Sequence, residues 1–586
     1  MLEPRLYRAA FIPAVLAVVL TMFSLESRPR PLPQGLAADV LFDGRQAASQ
    51  ADLIAARFPD RRAGTPGDRG TAESVARTFG RRGFTVERDA FRNQGRDLVN
   101  IAGRRPGRRR EQVVVVAARD APGPPDRAGS AADTAALVEL ARVFEGRSSE
   151  RTLVLASVDG ARLGQAGARR LARRLRSSGG GVAAVLVVSG LGTPSSEPPV
   201  VSWSGDTARV GIGLERTAAE AVRLELDTRV EASSVAGQLS RLAFPLGLGA
   251  QGVFLDAGLD SLRFSGSGEL DPPADERLDP DRLGGLGRAA LRTLSSLDVS
   301  GAPEHGPRSY VTAVSQVLPG WVISVLALAL LLPAVLASID AFARARRRRE
   351  PVLPGLRSIG LVALALLGGL LLAKLLTLVG ATPGAPQAGV DPSALPLDAP
   401  ATVALAAVVL LTGGLLYAIK RFFGAGDPAA AGRGCAAALV LCGASLVLWA
   451  LDPYAALLTV PAVHLWMLAM LLEPRPIRRV RVIALIGGLL PPAVVALYYS
   501  IALGLDPLHG GWYLLMSAMG GTPSLATLLV WVALAAAFSA VARSALVADP
   551  EDESPERQPL RAVPSYAGPG SLGGTESAMP RRYPAR

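Results

Sequence analysis

The pattern of apolar and polar positions divides the chain into three parts. Residues 9–25 (AAFIPAVLAVVLTMFSL) form one apolar run behind Arg5 and Arg8, the layout of a signal anchor or of a signal peptide's apolar stretch. Retention is the expectation, because small residues suited to cleavage come only at Ala37 and Ala38, beyond a Pro/Arg-rich spacer. Cleavage would leave the following segment exported all the same. From residue 47 to 300, helical patterns alternate with short β-branched runs, Val113–Val116, Leu153–Ala156 and Val185–Val188. That alternation predicts an α/β domain with a mostly parallel sheet covered by helices. Within it Thr71–Arg82 reads as an amphipathic helix ended by Gly83, Phe84–Phe91 as a half-buried edge strand, and the Arg104–Arg110 cluster as a solvated turn.

After Pro319 the text changes. Apolar runs follow at about 319–341, 356–380, 400–419, 434–451, 454–472, 482–504 and 522–547, each long enough to cross hydrocarbon. An all-α polytopic membrane domain is expected, with the exported domain ahead of it. Arg344, Arg346–Arg349, Lys420, Arg421, Arg433 and the Arg475–Arg481 cluster fall on alternate loops, which the positive-inside rule assigns to the cytoplasm. The loops 381–399 and 505–520 then face outward. The division that follows is a cytoplasmic N-terminus 1–8, an anchor span 9–25, a linker 26–46, an extracytoplasmic domain 47–300, a linker 301–318, a membrane domain 319–547 and a cytoplasmic tail 548–586. Both termini lie inside and 26–318 lies outside, with the plasma membrane the expected location. The tail is rich in Pro, Glu, Arg and Gly and is expected to be disordered.

Composition agrees. The 586 residues are 49% hydrophobic with a mean hydropathy of +0.31, too apolar for a wholly soluble protein. The net charge of +12 would suit nucleic acid, but the basic residues sit in short clusters beside apolar runs, as topology requires, so nucleic-acid binding is discounted. The only cysteines, Cys435 and Cys442, share one apolar run and offer neither a disulfide framework nor a cysteine metal site.

Residues 50–298 resemble the family-28 zinc metallopeptidases, aminopeptidases related to glutamate carboxypeptidase and glutaminyl cyclase. FPDRRAGTPGDRGTAESVARTFGRRGFTVERDAF and DLVNIAG are similar to that family's lead-in, and EQVVVVAARD, GSAADTAALVELARVF and RTLVLASVDGARLGQAGARRLA to its metal-site segments in order and spacing. The resemblance implies two zinc ions sharing a carboxylate, with a Glu as general base. It also implies that most of this apparatus is lost. Where the family has His-x-Asp the chain has Ala118, Arg119 and Asp120; where it has Asp-Gly-Glu-Glu the chain has Asp159, Gly160, Ala161 and Arg162; Ser189 replaces an acidic ligand, and 265–281 holds no histidine. Asp133 matches the bridging carboxylate and is the one surviving ligand. Asp120, Asp133 and Asp159 are then vestigial, serving as caps, loop hydrogen-bond acceptors or ion-pair partners of Arg119 or Arg162; the alternative is a residual polar pocket at the strand C-termini. No cofactor is expected. Of the three histidines, His305 follows the domain, His464 falls in an apolar run and His509 in a later loop.

The architecture as a whole is similar to the family of GPI transamidase anchor-attachment subunits: an N-terminal span, an exported peptidase-like domain without a full zinc set, and the junction YVTAVSQVLPGWVISVLALALLLPAVLASIDAF. That likeness implies a scaffolding role, with a protein partner or a polypeptide or lipid-linked substrate on the outer face and the lipid bilayer around the bundle. Two other readings stay open: an aminopeptidase using zinc at a non-standard site built on Asp120, Asp133 and Asp159, and a transporter with an exported binding domain. The transporter reading rests on Lys374, His464 and the Pro491–Pro492 pair. The plainer expectations are that Lys374 snorkels toward the outer interface, His464 makes an interhelical hydrogen bond, and the prolines kink their span.

Overall fold

The computed structural model describes residues 4–34, 38–195, 197–228, 230, 233–301, 303–313, 315–385, 389–422, 431–471 and 476–546; the tail 548–586 lies outside them. Among the described residues the sheet of the α/β domain has seven strands: β1 (Thr85–Asn93), β2 (Arg96–Arg105), β3 (Arg109–Ala118), β4 (Arg151–Val158), β5 (Val182–Ser189), β6 (Val200–Val201) and β7 (Ser261–Ser265). Their spatial order is β1-β2-β4-β3-β5-β7-β6. The pairs β4–β3, β3–β5 and β5–β7 are parallel, whereas β1–β2, β2–β4 and β7–β6 are antiparallel. Parallel pairing is thus confined to four central strands, narrower than the mostly parallel sheet expected. The reason is visible in burial: β3 and β4 are apolar on both faces, as strands between two helix layers must be, while β1 alternates as an edge.

The alternation sorts the core. Val113, Val115 and Ala117 pack with helices Gly44–Arg57, Pro66–Arg81, Ala132–Val143, Ile212–Leu226 and Pro280–Val299, while Val114 and Val116 pack with Ala166–Ser177 and Ala250–Asp256. The helix expected at Thr71 starts at Pro66 instead, because Thr65 caps it by accepting from Asp68 N at 3.3 Å and Pro66 suits the first turn. Gly83, in the turn between that helix and β1, has φ +78°.

Among the described residues, seven helices behind the α/β domain are long and apolar enough to cross a membrane: Gly320–Arg347, Leu353–Leu378, Ala399–Phe422, Gly432–Leu451, Pro453–Met470, Arg478–Leu503 and Leu525–Leu546. The sixth is broken, with Arg478–Gly487 and Leu490–Leu503 meeting at Gly488, where a Cβ would lie 2.1 Å from Trp466 Nε1. A shorter apolar helix, Tyr7–Phe23, packs Ala14 and Ala17 on Ala329. The two covalent connections between domain and bundle are knitted together, since Glu26–Ser27 pairs with Gln316–Pro319, which pairs with Tyr310–Ala313, all antiparallel.

One expectation fails. The stretch 505–520 is no open loop: Pro507–Gly520 is a helix, capped by Asp506 accepting from Leu508 N and His509 N, with Trp512, Tyr513 and Met516 buried. At 14 residues it is too short to span hydrocarbon and lies over the bundle end instead.

Candidate functional site

The site suggested by the sequence sits where β3, β4, β5 and β7 end. Open α/β sheets place ligands at the carboxyl ends of their parallel strands, and Ala118, Val158, Ser189 and Ser265 are those ends here. Arg119, just past β3, is fully buried. Its Nε lies 2.8 Å from Asp68 Oδ1 and its Nη2 2.9 Å from Asp159 Oδ2, with both carboxylates equally buried. Nη2 also donates to Val99 O at 2.6 Å and Nη1 to Ser157 O at 3.2 Å. Asp159 Oδ2 in turn accepts from Val99 N at 3.1 Å, pinning β2 to the β4 end. One guanidinium between two buried carboxylates leaves an excess negative charge, and burial pushes the Asp68 carboxyl up to about 8 despite Arg119.

Asp120 accepts from Ala161 N at 3.1 Å, tying the turn after β4 to the end of β3. Burial, and then the charge of Asp159, push its carboxyl up to about 7. Asp133, in the first turn of its helix, accepts from Gly190 N at 2.9 Å through Oδ2 and from Leu191 N at 3.0 Å through Oδ1. Both oxygens are therefore spent on the loop after Ser189, and burial pushes this carboxyl up to about 8. Ser189 is half-buried at the end of β5, with its carbonyl accepting from Gly266 N at 3.2 Å.

The structure divides these residues into two groups. Asp120 and Asp159 join Asp68 and Arg119, while Asp133 faces Asp126 and Asp271. Asp68, Asp126, Asp271 and Arg61 are absent from the sequence-based set. Arg61 is fully buried, donating to Phe58 O, Pro125 O and Asp126 O, and lies 3.8 Å from Asp126 Oδ2. Asp126 also accepts from Ser130 N at 2.9 Å. Burial holds both Asp126 and Asp271 above the usual carboxylate range. An Arg before a Pro-rich turn carries no local pattern that announces such a pairing.

Arg162 opens the mouth of the site and points at the bundle: its Nη2 donates to Ser393 Oγ at 3.1 Å. Ser393 belongs to the segment between the second and third long helices, which lies against the domain at two further points and against the short helix Pro507–Gly520 at a third. Leu248 pairs with Gly389 as a parallel bridge, Asp271 N donates to Asp391 Oδ2 at 2.7 Å, and Tyr513 Oη holds Val390 O at 3.0 Å. Beside it the buried Arg241 donates to Tyr498 Oη at 3.1 Å and Leu246 O at 3.0 Å and pairs with Glu269.

The residues do not fit a dinuclear zinc centre. Ala118 and Ala161 have no donor atom, Arg162 carries a fixed positive charge, and Asp133 has both oxygens engaged by backbone N–H groups. Among the described residues, no group of three or more His, Cys, Asp or Glu side chains converges to hold a metal ion. The histidines are elsewhere: His305 pairs with Asp260 at 3.2 Å, His464 contacts Leu330 O at 2.9 Å and the Tyr7 hydroxyl, and His509 contacts Leu395 O at 3.2 Å. Lys374 Nζ donates to Met519 O at 2.7 Å, at the C-terminal end of the short helix Pro507–Gly520.

No family model matches the chain, and no curated protein matches it. Solved structures with similar folds include the LapA aminopeptidase of Legionella pneumophila, at 12% identity over 45% of this chain and 74% of that one, with a TM-score of 0.37. The zinc aminopeptidase BSAP of Bacillus subtilis is similar at 14% identity over 47% of this chain and 99% of that one, with a TM-score of 0.35. The glutaminyl cyclase of Porphyromonas gingivalis is similar at 13% identity over 43% and 98%, with a TM-score of 0.32.

Proposed function

We propose that this chain is a multi-pass membrane protein whose α/β domain is an exported relative of the family-28 peptidases without a working metal centre. It acts as a non-catalytic binding or scaffolding subunit of a membrane complex, presenting its outer face to a polypeptide or lipid-linked partner. The domain at 26–318 stands outside the plasma membrane and both termini stand inside. The observation that carries this reading is Arg162: a cation occupies a ligand position of the family pattern, and it is tied to Ser393 of the segment between two spans. A site mouth used to join two parts of the chain suits assembly better than turnover. Lys374 is held by a backbone carbonyl, and His464 by a backbone carbonyl and the Tyr7 hydroxyl, which supports a structural role for both over a transport path.

The test is elemental analysis of the full-length protein in detergent, with a panel of aminoacyl and peptide substrates. Zinc far below one per chain and no turnover above background is the expected result. Near-stoichiometric zinc with turnover abolished by Asp133→Ala would sink the reading. Protease protection in sealed vesicles tests topology, since 26–318 and the bundle's Arg-rich loops must be cut from opposite sides.

A further inference from the structure

The connection between the second and third long helices is longer than its position requires. Leu353–Leu378 and Ala399–Phe422 pack on one another, and neighbours of that kind need only about 2–8 linking residues, whereas this link runs over 379–398. The surplus reaches the carboxyl ends of the strands. There three loops of the α/β domain meet it: Arg162 follows β4, Leu248 precedes the helix Ala250–Asp256, and Asp271 follows β7. Gly389 forms a parallel bridge with Leu248, and a Cβ on it would lie 2.1 Å from Gly247 O. Val390 is buried in one apolar cluster with Leu246, Leu248, Trp512 and Tyr513, and its carbonyl accepts from Tyr513 Oη at 3.0 Å. Asp391 Oδ2 accepts from Asp271 N at 2.7 Å, and Ser393 Oγ from Arg162 Nη2 at 3.1 Å.

Each of these four residues has a socket of its own: main chain against main chain at Gly389, an apolar recess for Val390, a backbone N–H for the Asp391 carboxylate and a guanidinium for the Ser393 hydroxyl. Extended polypeptides are held in this way, with bridging main chain supplying affinity and separate side-chain sockets supplying selectivity. Here the occupant is covalently attached. A tether raises the local concentration of its occupant to about millimolar, so a segment from another chain meets a site already filled. We propose that the cleft at the strand carboxyl ends is a docking site for an extended segment of a partner polypeptide. That segment carries a glycine, an apolar residue and an aspartate in succession, and Gly389–Ser393 holds its place in cis until the two exchange. The glycine is required because the bridge leaves no room for a side chain. The proposal rests on the reading of the domain as a non-catalytic binding module, and it names the surface and the class of partner.

The experiment uses full-length protein in detergent and a fluorescent peptide of the 387–396 sequence, QAGVDPSALP. In the Gly389→Ala/Asp391→Ala protein the cis segment is disabled while Leu248, Asp271 and Arg162 are unchanged. Saturable binding to this protein is expected, at least about tenfold tighter than to the parent. It is expected to weaken about two- to tenfold when Arg162→Ala is added, and to be lost for a peptide with alanine at the Gly389 and Asp391 positions. A second measurement needs no variant: the peptide at about millimolar concentration, added to the parent, is expected to raise hydrogen exchange at 389–395 and leave the central strands protected. Where the double variant does not fold, the exchange result alone decides. Absence of saturable binding to the folded double variant overturns the proposal, as do equal affinities of the two proteins or of the two peptides, and unchanged exchange in the parent. Peptide recovered cut would instead overturn the non-catalytic reading and leave the docking site standing.

Discussion

Arg119 Nη2 and Asp159 Oδ2 meet at 2.9 Å with no solvent exposure on either side chain, and Asp68 closes the trio from the other side. Such a buried ion trio is costly to break one member at a time, because what remains is an uncompensated charge. Arg119→Met is therefore expected to destabilise the α/β domain by about 3–5 kcal/mol, and Arg119→Lys by a large part of that, since one ammonium cannot reach all of these acceptors. The triple replacement Arg119→Met, Asp68→Asn, Asp159→Asn is expected to recover much of the loss. Thermal unfolding of the four full-length proteins in detergent checks this; a triple variant no better than Arg119→Met refutes it.

Asp133 gives a pH signature. Its proton stays in the folded chain up to about pH 8, whereas an unfolded carboxyl releases it near 4. The stabilisation it contributes is thus complete below about pH 4 and declines as pH rises through about 8. Asp133→Asn removes that slope. At pH 5 the variant is expected to be weaker by about 1–2 kcal/mol, because its amide turns a donor toward one of the two N–H groups it faces, and the gap narrows by pH 9. Parallel stability curves for the two proteins would refute the assignment.

Gly389 meets Leu248 where there is no room for a side chain: a Cβ would lie 2.1 Å from Gly247 O. Gly389→Ala is expected to push residues 389–395 off the domain at a cost of about 1–3 kcal/mol. Hydrogen exchange should rise there and around Asp271, while the strands of the central sheet keep their protection. Unchanged exchange would mean that the contact is not held in solution.

Arg162→Ala removes the bond to Ser393 and is expected to cost about 0.5–1.5 kcal/mol without conferring zinc binding, because Ala118 and Ala161 still offer no donor. Zinc uptake by this variant, measured by elemental analysis, would show that Arg162 alone excludes the metal.

Much of this molecule could be read from its sequence, and the reasons separate the parts that could not. Val113–Val116, Leu153–Ala156 and Val185–Val188 announced themselves because strands buried on both faces must be apolar throughout, and the long helices because hydrocarbon demands length. The edge strand at Phe84–Phe91 showed by its alternation, but the edge β6 did not, since it is two residues long and carries no period. Pro507–Gly520 read as a loop because His509, Gly510 and Gly511 interrupt it, yet the Asp506 cap and the burial of Trp512 and Tyr513 outweigh those residues. Asp68 drew no notice, lying three positions ahead of the helix expected at Thr71. Its role follows from Arg119, 51 positions away, and no local pattern encodes that meeting. The segment 389–395 was legible as Pro/Gly-rich and as nothing more, because backbone bridges and single polar contacts leave no periodic trace.

The three short strands at 26–27, 310–313 and 316–319 bind the domain's two covalent legs into a single stalk. With the clamp at Gly389, Asp391 and Ser393 as a second foothold, the domain cannot swing like a bead on two strings. A body fixed at a stalk and at a distant foot keeps one axis of rocking at most. A load applied to the domain therefore pushes on the helices beneath as a lever does, and arrives at the segment joining the second and third long helices.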